Sequence, residues 1–512
     1  MAGTAAPSDA PTVPGIAAVL ILAAGAGTRM RSTKPKMLHT IAGKPLVWHA
    51  VAAAAGLAPH HLVAVLGHGR EQIEEFLAVA ADLPPVITAV QHQQLGTGHA
   101  AACGLAALPA PIHGTVVVTA GDVPLLRTET LTALVTGHHA AGNAVTVLTA
   151  SVPDPAGYGR IVRHGDGTVS GIVEHHDAAA GQLGINEINS GVFAFDGAAL
   201  ADALPRIGRS NAQGEQYLTD VVALAVSDGH RVGTVLADDP MEIEGVNDRV
   251  QLAQLARELN NRIVRRHQLA GVTIHDPATS WIHADVTIGK DTEILPGSFL
   301  QAGTSIGVGA VIGPDTTLTA CMVGDGARVQ RSQCDGAIIG DRATVGPFAF
   351  LRPAADIGDG AHIGAHVEIK KSTIGAGAKV PHLSYIGDAT IGAGSNIGAG
   401  TITANYDGVH KYPTSVGDNA FVGTNSTLVA PVSVADGAYI AAGSTVTQDV
   451  PAGALGVARG RQYNSNGWVL LSRAGTSSEL SARAAGATDR AAGATDGAAG
   501  ATDDNNTEDS PA

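Results

Sequence analysis

The 512-residue chain has few aromatic residues, few cysteines and no long apolar run. Aromatic residues make up only 3% of the sequence, so a hydrophobic core must be built from Ala, Val, Ile and Leu. The three cysteines, Cys103, Cys321 and Cys334, form no CxxC pair, which argues against a disulfide scaffold and a cysteine-based zinc site. No apolar run reaches the roughly 18 residues of a membrane-spanning helix.

Positive charge is also scarce, since 31 Lys and Arg residues stand against 46 Asp and Glu residues, a net charge of −15. This balance argues against non-specific nucleic-acid binding and against binding to an anionic membrane surface. The first residues lack the basic and then apolar layout of a signal peptide. We therefore expect a soluble, cytoplasmic protein whose partners are small molecules, with no nucleic acid and no membrane among them.

Both ends of the chain have a composition typical of disorder. Residues 1–15 are small, polar and proline-rich, and we expect a disordered lead there. Residues 471–512 contain the hexapeptide AAGATD three times, without a large apolar residue to interrupt it. We expect residues 471–512 to form a disordered, acidic, low-complexity tail.

Residues 16–245 alternate short β-branched apolar runs with helical segments. This rhythm predicts an α/β domain, a Rossmann-like, doubly wound and mostly parallel sheet covered on both faces. Residues 246–272 carry apolar residues at helical spacing and predict a linker helix. The clearest strand candidates are AAVLIL (17–22), HLVAVLG (61–67), TVVVTAGD (115–122) and NAVTVLTA (143–150).

From residue 273 onward the apolar period changes to six, often with glycine after the aliphatic residue. A period of six fits neither an α-helix nor a flat strand, but it fits a coil of three short sides with one inward aliphatic residue per side. We expect a left-handed parallel β-helix of hexapeptide repeats over residues 273–470, with about nine coils in residues 282–451. The first aliphatic series is Ile282, Ile288, Ile294, Leu300, Ile306, Ile312 and Leu318.

The first predicted strand runs into a glycine-rich turn followed by cations. Gly25 and Gly27 would let backbone N–H groups approach a phosphate, and Arg29 and Lys36 would add positive charge. The dinucleotide pattern GxGxxG is absent, which disfavours NAD. Asp122 ends another predicted strand, where a carboxylate would be poorly solvated unless it held a cation.

The N-terminal half resembles the sugar-nucleotide pyrophosphorylase family. The resemblance begins in the loop LAAGAGTRM (22–30) with the Pro-Lys pair at 35–36, and it extends over about 230 residues. The other matching motifs are QLGTGHA (94–100), GDVPL (121–125), GYGRI (157–161), IVEH (172–175), INSG (188–191) and GVNDR (245–249).

This resemblance implies that a sugar phosphate attacks the α-phosphorus of UTP and releases pyrophosphate. Asp122 and Asn247 would bind Mg²⁺, while Arg29 and Lys36 would neutralise phosphate charge in catalysis. The sequence departs from the family at Ala120, where a Tyr often precedes Gly-Asp. The resemblance implies that Leu22, Ala23, Ala24, Gly25 and Lys36 bind UTP, that Gln91, Gly96 and Thr97 contact uracil, and that Gly159, Glu174 and Asn189 hold the sugar.

Three segments depart from the hexapeptide pattern and carry polar residues. Lys370, Lys371 and Lys411 form a group of cations on an otherwise acidic protein, which suggests an anionic ligand. His382 is a candidate base because its pKa can lie near the working pH. The segments are AFLRPAADIG (349–358), HVEIKKSTIG (366–375) and residues 380–412.

The motifs HLSYIGD and TANYDG resemble the acetyltransferase domain of a bifunctional family that makes UDP-N-acetylglucosamine. In that family the histidine deprotonates the amine of glucosamine 1-phosphate, Asn405 would orient it, and Tyr406 would help stabilise the oxyanion. The family assembles as a homotrimer in which neighbouring subunits complete this site. The resemblance implies that Arg352, Lys370, Tyr385, Asn396 and Lys411 bind the sugar phosphate, and that Asn405, Tyr406, Thr424 (often Ser in the family), Ala442 and Arg459 bind acetyl-CoA.

Two alternatives stay open at this point. In the first, the chain is a single-activity sugar-nucleotide pyrophosphorylase whose β-helix only trimerises or regulates it. In the second, the β-helix is a γ-type carbonic anhydrase, which needs three zinc-binding histidines, and His362 and His366 are the nearest pair. A purely structural scaffold does not explain the N-terminal motifs.

Overall fold

The computed structural model describes residues 15–488, so the expected lead (up to residue 14) and the tail from residue 489 lie outside the described residues. The N-terminal domain is built on strands β1–β11. Their bounds are β1 Ile16–Ala23, β2 Thr40–Ile41, β3 Lys44–Pro45, β4 His61–Leu66, β5 Ile87–Val90, β6 Thr115–Ala120, β7 Val145–Ser151, β8 Arg160–Arg163, β9 Val169–Val173, β10 Glu187–Asp196 and β11 Val232–Leu236.

The main sheet of this domain has the strand order β11-β7-β10-β6-β1-β4-β5. Strand β1 pairs in parallel with β4 and β6, whereas β10 runs antiparallel to both β6 and β7. The short strands β8 and β9 extend from β10, and β2 pairs with β3 as a separate hairpin. The expected α/β domain is confirmed, with a mixed sheet.

Helices cover both faces of the sheet. Strand β1 is uncharged because its alternate residues are buried on opposite faces of the sheet. Val19 and Ile21 join one buried cluster, while Ala18 and Leu20 join the cluster on the opposite face. The helices of the described chain are α1 Leu46–Ala55, α2 Arg70–Val79, α3 Thr97–Ala106, α4 Thr128–Ala141, α5 Gly197–Ala203, α6 Asp220–Ser227, α7 Arg249–Leu269, α8 Trp468–Ser472 and α9 Ser477–Ala484, with 3₁₀ turns at Thr28–Met30, Lys36–Leu38, Leu204–Arg206 and Pro240–Ile243.

Helix α7 joins the sheet domain to the β-helix. Asp248 caps its first turn by accepting the N–H groups of Val250 and Gln251, each at 2.9 Å. Near the middle of the helix, the buried Asn260 donates to the carbonyl of Ser280 at 2.8 Å and accepts the N–H of Ile282 at 3.0 Å. The helix is therefore fixed to the first coil of the β-helix.

Strands from residue 273 to residue 456 form three parallel sheets, the faces of a triangular prism. The first sheet contains Thr273–Ile274, Glu293–Ile294, Val311–Ile312, Arg328–Val329, Thr344–Val345, His362–Ala365, Lys379–His382, Asn396–Ile397, Phe421–Val422, Tyr439–Ile440 and Leu455–Gly456. The second contains Trp281–Ile282, Phe299–Gln301, Thr317–Thr319, Gln333–Asp335, Phe350–Leu351, Glu368–Lys370, Tyr385–Gly387, Ile402–Ala404, Thr427–Val429 and Thr445–Val446. The third contains Thr287–Ile288, Ser305–Ile306, Met322–Val323, Ile338–Ile339, Ala355–Ile357, Ser372–Ile374, Ala389–Ile391, Thr414–Val416 and Val432–Val434.

The aliphatic residues of the six-residue pattern fill the prism, as expected for hexapeptide repeats. Ile282 pairs with Leu300, 18 positions along the chain, in the next coil. Ile391 instead pairs with Val416, 25 positions along. The additional residues lie between Ala404 and Thr414 and leave the prism as a loop.

The expectation of disorder from residue 471 onward is wrong for residues 477–484, which form α9. The side chain of Thr476 caps this helix by accepting the N–H of Glu479, and Arg483 pairs with Glu479 at 2.9 Å one turn later. These local interactions explain a short helix whose one large apolar residue, Leu480, is exposed. Within residues 15–488, no helix is long and apolar enough to cross a membrane.

Candidate active sites

A cavity of about 400 Å³ opens at the carboxyl ends of β1 and β6 in the sheet domain. This is the edge at which open α/β sheets bind ligands. Ala23, Arg29, Gly159 and Asn247 do not line the cavity themselves. The predicted residues that do are Leu22, Ala24, Gly25, Lys36, Gln91, Gly96, Thr97, Asp122, Glu174 and Asn189.

The side chain of Lys36 packs against the backbone of the glycine-rich loop at Gly27. Gly27 has φ +61°, and a Cβ at this position would lie 2.6 Å from the Cβ of Lys36. Any larger residue would therefore push Lys36 away from the loop. Gly27 thus leaves room for the Lys36 side chain, which lines the cavity.

Four polar side chains from three segments meet at one end of this cavity. Lys36 forms an ion pair with Asp122 and also donates to Asn247 Oδ1 at 3.3 Å. Arg29 donates to the same Asn247 oxygen at 2.9 Å. The N–H of Val246 donates to the carbonyl of Asp122 at 2.9 Å, which holds the Asn247 segment beside the strand end.

The same contacts test whether these residues fit a metal ion. The Asp122 carboxylate and the Asn247 amide oxygen both face the ammonium of Lys36, and the Asn247 oxygen also accepts from Arg29. Two oxygen ligands that leave room for phosphate and water oxygens suit magnesium. Among residues 15–488, no group of three His, Cys, Asp or Glu side chains could hold a metal ion.

Gln91 and Thr97 form another part of the cavity wall. Gln91 donates to the carbonyl of Gly96 at 3.0 Å and contacts His99 Nδ1 at 3.1 Å. Thr97 accepts the N–H of Leu218 at 3.0 Å. These bonds hold Gln91 and Thr97 at the wall of the cavity.

Glu174 and Asn189 lie on the antiparallel part of the sheet. Glu174 accepts a hydrogen bond from the Thr219 hydroxyl at 3.0 Å, and the N–H of Asn189 donates to the carbonyl of Gly159 at 2.9 Å. Burial raises the pKa of the Glu174 carboxyl, and the bond from Thr219 opposes this rise. Nearby, burial and the hydrogen bond to Glu244 raise the pKa of Tyr158.

Sequence reasoning missed part of this cavity. Gln94 lines it and donates to the carbonyl of Ala24 at 2.6 Å. Glu215, Leu218 and Thr219 form another part of its wall. No strand end, repeat or charge cluster marks residues 215–219, because their place depends on contacts such as Leu218 to Thr97, 121 positions apart.

In the β-helix, several predicted residues line the edge between the first and second sheets, which we name the first edge. His382 ends a strand of the first sheet, and its carbonyl accepts the N–H of Gly400 at 3.2 Å in the next coil. Two coils further, the carbonyl of Thr424 accepts the N–H of Gly443 at 2.8 Å. Arg459 donates to the carbonyl of Ala442 at 3.0 Å. His382 and three of the acetyl-CoA candidates, Thr424, Ala442 and Arg459, therefore follow one line along the prism.

The edge between the second and third sheets, which we name the second edge, holds a separate cluster. Lys370 Nζ lies 3.4 Å from Asp388 Oδ2, and Asn405 Nδ2 donates to the same oxygen at 2.5 Å. The neighbouring Lys370 lowers the pKa of Lys411, and the Asp388 carboxylate opposes this shift. The ring of Tyr385 lies over Gly387, where a Cβ would collide with the tyrosine oxygen.

The remaining predicted residues lie around these two edges. Arg352 donates to Glu368 at 3.0 Å on the second sheet, and Asn396 begins a strand of the first sheet. Tyr406 is exposed in the loop after Asn405 and donates to the carbonyl of Gly408 at 2.6 Å. Its backbone also pairs with Lys411 across the loop.

One described chain does not gather these residues into a single pocket. In residues 15–488, no hydrogen bond joins His382 to Asn405. The second sheet, with Tyr385 on its face, separates the first edge from the second. The site predicted from the sequence is therefore divided between two edges of the prism.

Family models match both parts of the chain. A model of the MobA-like NTP transferase domain matches residues 19–180. A model of the bacterial transferase hexapeptide (six repeats) matches residues 336–371, and one of the hexapeptide repeat of succinyl-transferase matches residues 413–448.

Curated relatives match the chain across both domains, and the following three are named bifunctional protein GlmU. The relative from Kineococcus radiotolerans is 54% identical over 475 residues, which cover 93% of this chain and 96% of its own. The relative from Streptomyces avermitilis is 54% identical over 470 residues, with 92% and 97% covered. The relative from Mycobacterium tuberculosis is 52% identical over 476 residues, with 93% and 96% covered.

Proposed function

The chain belongs to the GlmU family of bifunctional proteins, and from this premise we propose how its two sites divide the work. It is a transferase with two activities that together make UDP-N-acetylglucosamine. The β-helix transfers an acetyl group from acetyl-CoA to glucosamine 1-phosphate. The sheet domain then transfers a uridylyl group from UTP to N-acetylglucosamine 1-phosphate and releases pyrophosphate. Relatives matched over both domains support this function over a single-activity pyrophosphorylase.

In the sheet domain, the cavity binds UTP and the sugar phosphate side by side. Gln91, Gly96 and Thr97 contact uracil, and Leu22, Ala23, Ala24 and Gly25 follow the nucleotide towards its phosphates. Gly159, Glu174 and Asn189 hold the sugar. The convergence of these segments on one cavity supports the assignment.

Uridylyl transfer needs charge neutralisation and alignment, with no general base. The attacking oxygen of the sugar phosphate is already an anion, and the leaving pyrophosphate carries the displaced electron pair. Arg29 and Lys36 offset this charge, and their contacts with Asn247 support the assignment. Asp122 and Asn247 would hold Mg²⁺, which when bound neutralises phosphate oxygens.

In the β-helix, His382 takes the proton as the glucosamine amine attacks the acetyl carbonyl. The tetrahedral oxyanion then collapses and the thiolate of coenzyme A leaves, taking up a proton. Asn405 orients the reacting groups and the Tyr406 segment helps stabilise the oxyanion. Thr424, Ala442 and Arg459 hold acetyl-CoA with Asn405 and Tyr406, while Arg352, Lys370, Tyr385, Asn396 and Lys411 hold the sugar phosphate.

The acetyl-transfer site is completed in a homotrimer. One prism presents its two groups of polar residues on different edges, whereas the groove between two prisms can join the first edge of one chain to the second edge of its neighbour. The hexapeptide repeat supports an oligomer. The negative net charge of the chain and its small-molecule substrates support a cytoplasmic location, where UTP and acetyl-CoA are available.

The observation that carries the proposal is the separation of the two sites in two folding units, one at a sheet edge and one on the prism. The test is a product assay by mass spectrometry with glucosamine 1-phosphate, acetyl-CoA, UTP and magnesium, each omitted in turn. Omitting UTP should leave the acetylated sugar phosphate, and omitting acetyl-CoA should stop formation of UDP-N-acetylglucosamine. Adding EDTA should stop only the uridylyl step. Loss of both products on chelation would contradict the proposed place of the metal.

A further inference from the structure

Asp388 lies at the centre of the second edge, although its motif in the sequence assigns it no role. Its Oδ2 accepts from Asn405 Nδ2 at 2.5 Å and lies 3.4 Å from Lys370 Nζ, and its Oδ1 lies 3.9 Å from Lys371 Nζ. Only 12% of the Asp388 side chain is exposed. A largely buried carboxylate thus connects polar side chains from three successive coils.

The fold itself does not require an acid at this corner. Asp388 has φ +49°, in the left-handed region, and follows a strand of the second sheet. Alanine occupies the same corner in three other coils, at Ala302, Ala320 and Ala354, with φ values of +49°, +52° and +63°. The backbone conformation therefore does not explain the choice of aspartate.

Two other aspartates that follow Ile-Gly bind backbone N–H groups instead. Asp341 accepts the backbone N–H of Asp325 at 2.9 Å, and Asp359 accepts that of Asp341 at 2.9 Å. These carboxylates fasten one coil to the next. In the described chain, the side-chain hydrogen bonds of Asp388 come from Asn405 and Lys370, with no backbone N–H among them.

We propose that Asp388 is a positioning residue of the acetyl-transfer site, which orients the amide of Asn405 and holds the ammonium of Lys370 in place for the sugar phosphate. An ionised carboxylate only accepts hydrogen bonds, so Asn405 must turn its NH₂ towards Asp388 and its oxygen away. This inference rests on the roles proposed above for Asn405, Lys370 and Lys411.

Asp388 also sets the charge of the second edge. The ammoniums of Lys370, Lys371 and Lys411 lie around one carboxylate, which leaves a charge of +2. A phosphate monoester carries about −1.5 to −2 near neutral pH. The net charge of the cluster therefore matches that of one sugar phosphate. Asp388 neutralises part of the lysine charge before the substrate binds.

The test compares Asp388→Ala and Asp388→Asn in the full-length chain, with Asp341→Asn as the matched control. In Asp388→Ala, kcat of acetyl transfer should fall about tenfold or more, because the amide of Asn405 loses a charged partner. The KM for glucosamine 1-phosphate should rise less, about two- to threefold, because Lys370 loses the carboxylate that holds it but keeps its charge beside Lys371 and Lys411. Asp388→Asn keeps an acceptor and should lose less, about two- to fivefold in kcat.

Uridylyl transfer and the melting temperature report on any general damage. Uridylyl transfer should match wild type in the Asp388 variants, with only a small fall in melting temperature from the lost contacts to Lys370 and Asn405. Asp341→Asn should match wild type in both rates. Wild-type kcat in Asp388→Ala would overturn the proposal, as would a parallel loss of both activities and of melting temperature. If Asp388→Ala does not fold, Asp388→Asn decides by the same criteria. Failure of the wild-type chain to acetylate glucosamine 1-phosphate would instead overturn the proposed function.

Discussion

The sheet domain and the β-helix arrange their polar residues in different ways. In the sheet domain, loops that follow β1 and β6 converge on one cavity within a single chain. In the β-helix, the polar residues follow two edges of a prism, with a face of the second sheet between them. The first arrangement can be complete in one chain, whereas the second is divided between two edges and, in the function proposed above, is completed by a neighbouring chain.

The difference follows from how each fold uses its backbone. Parallel strands bring several loop starts to one edge, so a cleft forms where they meet. A β-helix fills its interior with aliphatic residues and presents convex walls. The loop between Ala404 and Thr414 departs from this wall and carries Asn405, Tyr406 and Lys411. The repeat fold thus presents these polar side chains where its repeat is interrupted.

The largest effect should come from Asp122→Ala. Uridylyl transfer should fall at least about 100-fold, because the cavity loses the carboxylate beside Lys36 and Asn247, while acetyl transfer stays within about twofold of wild type. Both rates are measured by product formation. Asp166→Asn, at an exposed turn of the same domain, serves as the control and should change neither rate. A comparable loss of acetyl transfer in folded Asp122→Ala would break the separation of the two sites.

The reverse effect should follow from His382→Ala. Loss of a general base should lower acetyl transfer about 100-fold or more, with uridylyl transfer unchanged. His366→Ala is the matched control, since His366 lies at the same edge one coil earlier and stacks on Phe348. If both histidine variants lost acetyl transfer equally, His382 would have no special role.

A smaller effect sharpens the description of the sheet cavity. Burial raises the pKa of Glu174, so the stability that its protonated form gives is present below about pH 4.5 and is lost as the pH rises through the raised pKa. We compare the Tm of Glu174→Gln with that of wild type at each pH. The difference should favour the variant by about 2–4 °C more at pH 7.5 than at pH 4.5. Calorimetry at both pH values tests this, with the exposed Glu75→Gln as control. An equal difference from wild type at the two pH values would contradict it.

The smallest effect is expected from deleting residues 475–512. Helix α9 buries none of its residues, and Leu480 is exposed, so little packing is lost from the described part of this segment. Both activities should remain, and Tm should change by less than about 2 °C. A fall of several degrees or a loss of either rate would show that the segment supports one of the domains.

Periodic and local features were predictable from the sequence. The uncharged run of β1 indicates a strand covered on both faces, and the six-residue period indicates the prism, because both patterns reflect what each side chain buries. Asp122 was found because it ends a predicted strand, and Arg29 and Lys36 because they follow a glycine-rich turn. Asn247 was assigned by the family resemblance alone. Helix α9 was missed because its stability comes from the Thr476 cap and from Glu479 and Arg483 rather than from an apolar face.

Features that depend on distant contacts could not be predicted in this way. The wall at residues 215–219 is placed by a bond to Thr97, far away in the sequence. The role of Asp388 is hidden because Ile-Gly-Asp also occurs at Asp341 and Asp359, where the carboxylate binds backbone. Only the coil register brings Lys370 and Asn405 to Asp388.

The central claim is that one site is complete in a single chain and the other is shared, and subunit mixing tests it most directly. Asn405→Ala and Arg459→Ala chains, each inactive in acetyl transfer, would be unfolded, mixed in equal amounts and reassembled. Because these residues lie on different edges, random trimers should regain acetyl transfer to about a quarter of the wild-type rate. Asp122→Ala mixed with Lys36→Ala should regain no uridylyl transfer, since both residues serve one cavity. No recovery in the first mixture, or a monomer by light scattering with full acetyl transfer, would contradict the account.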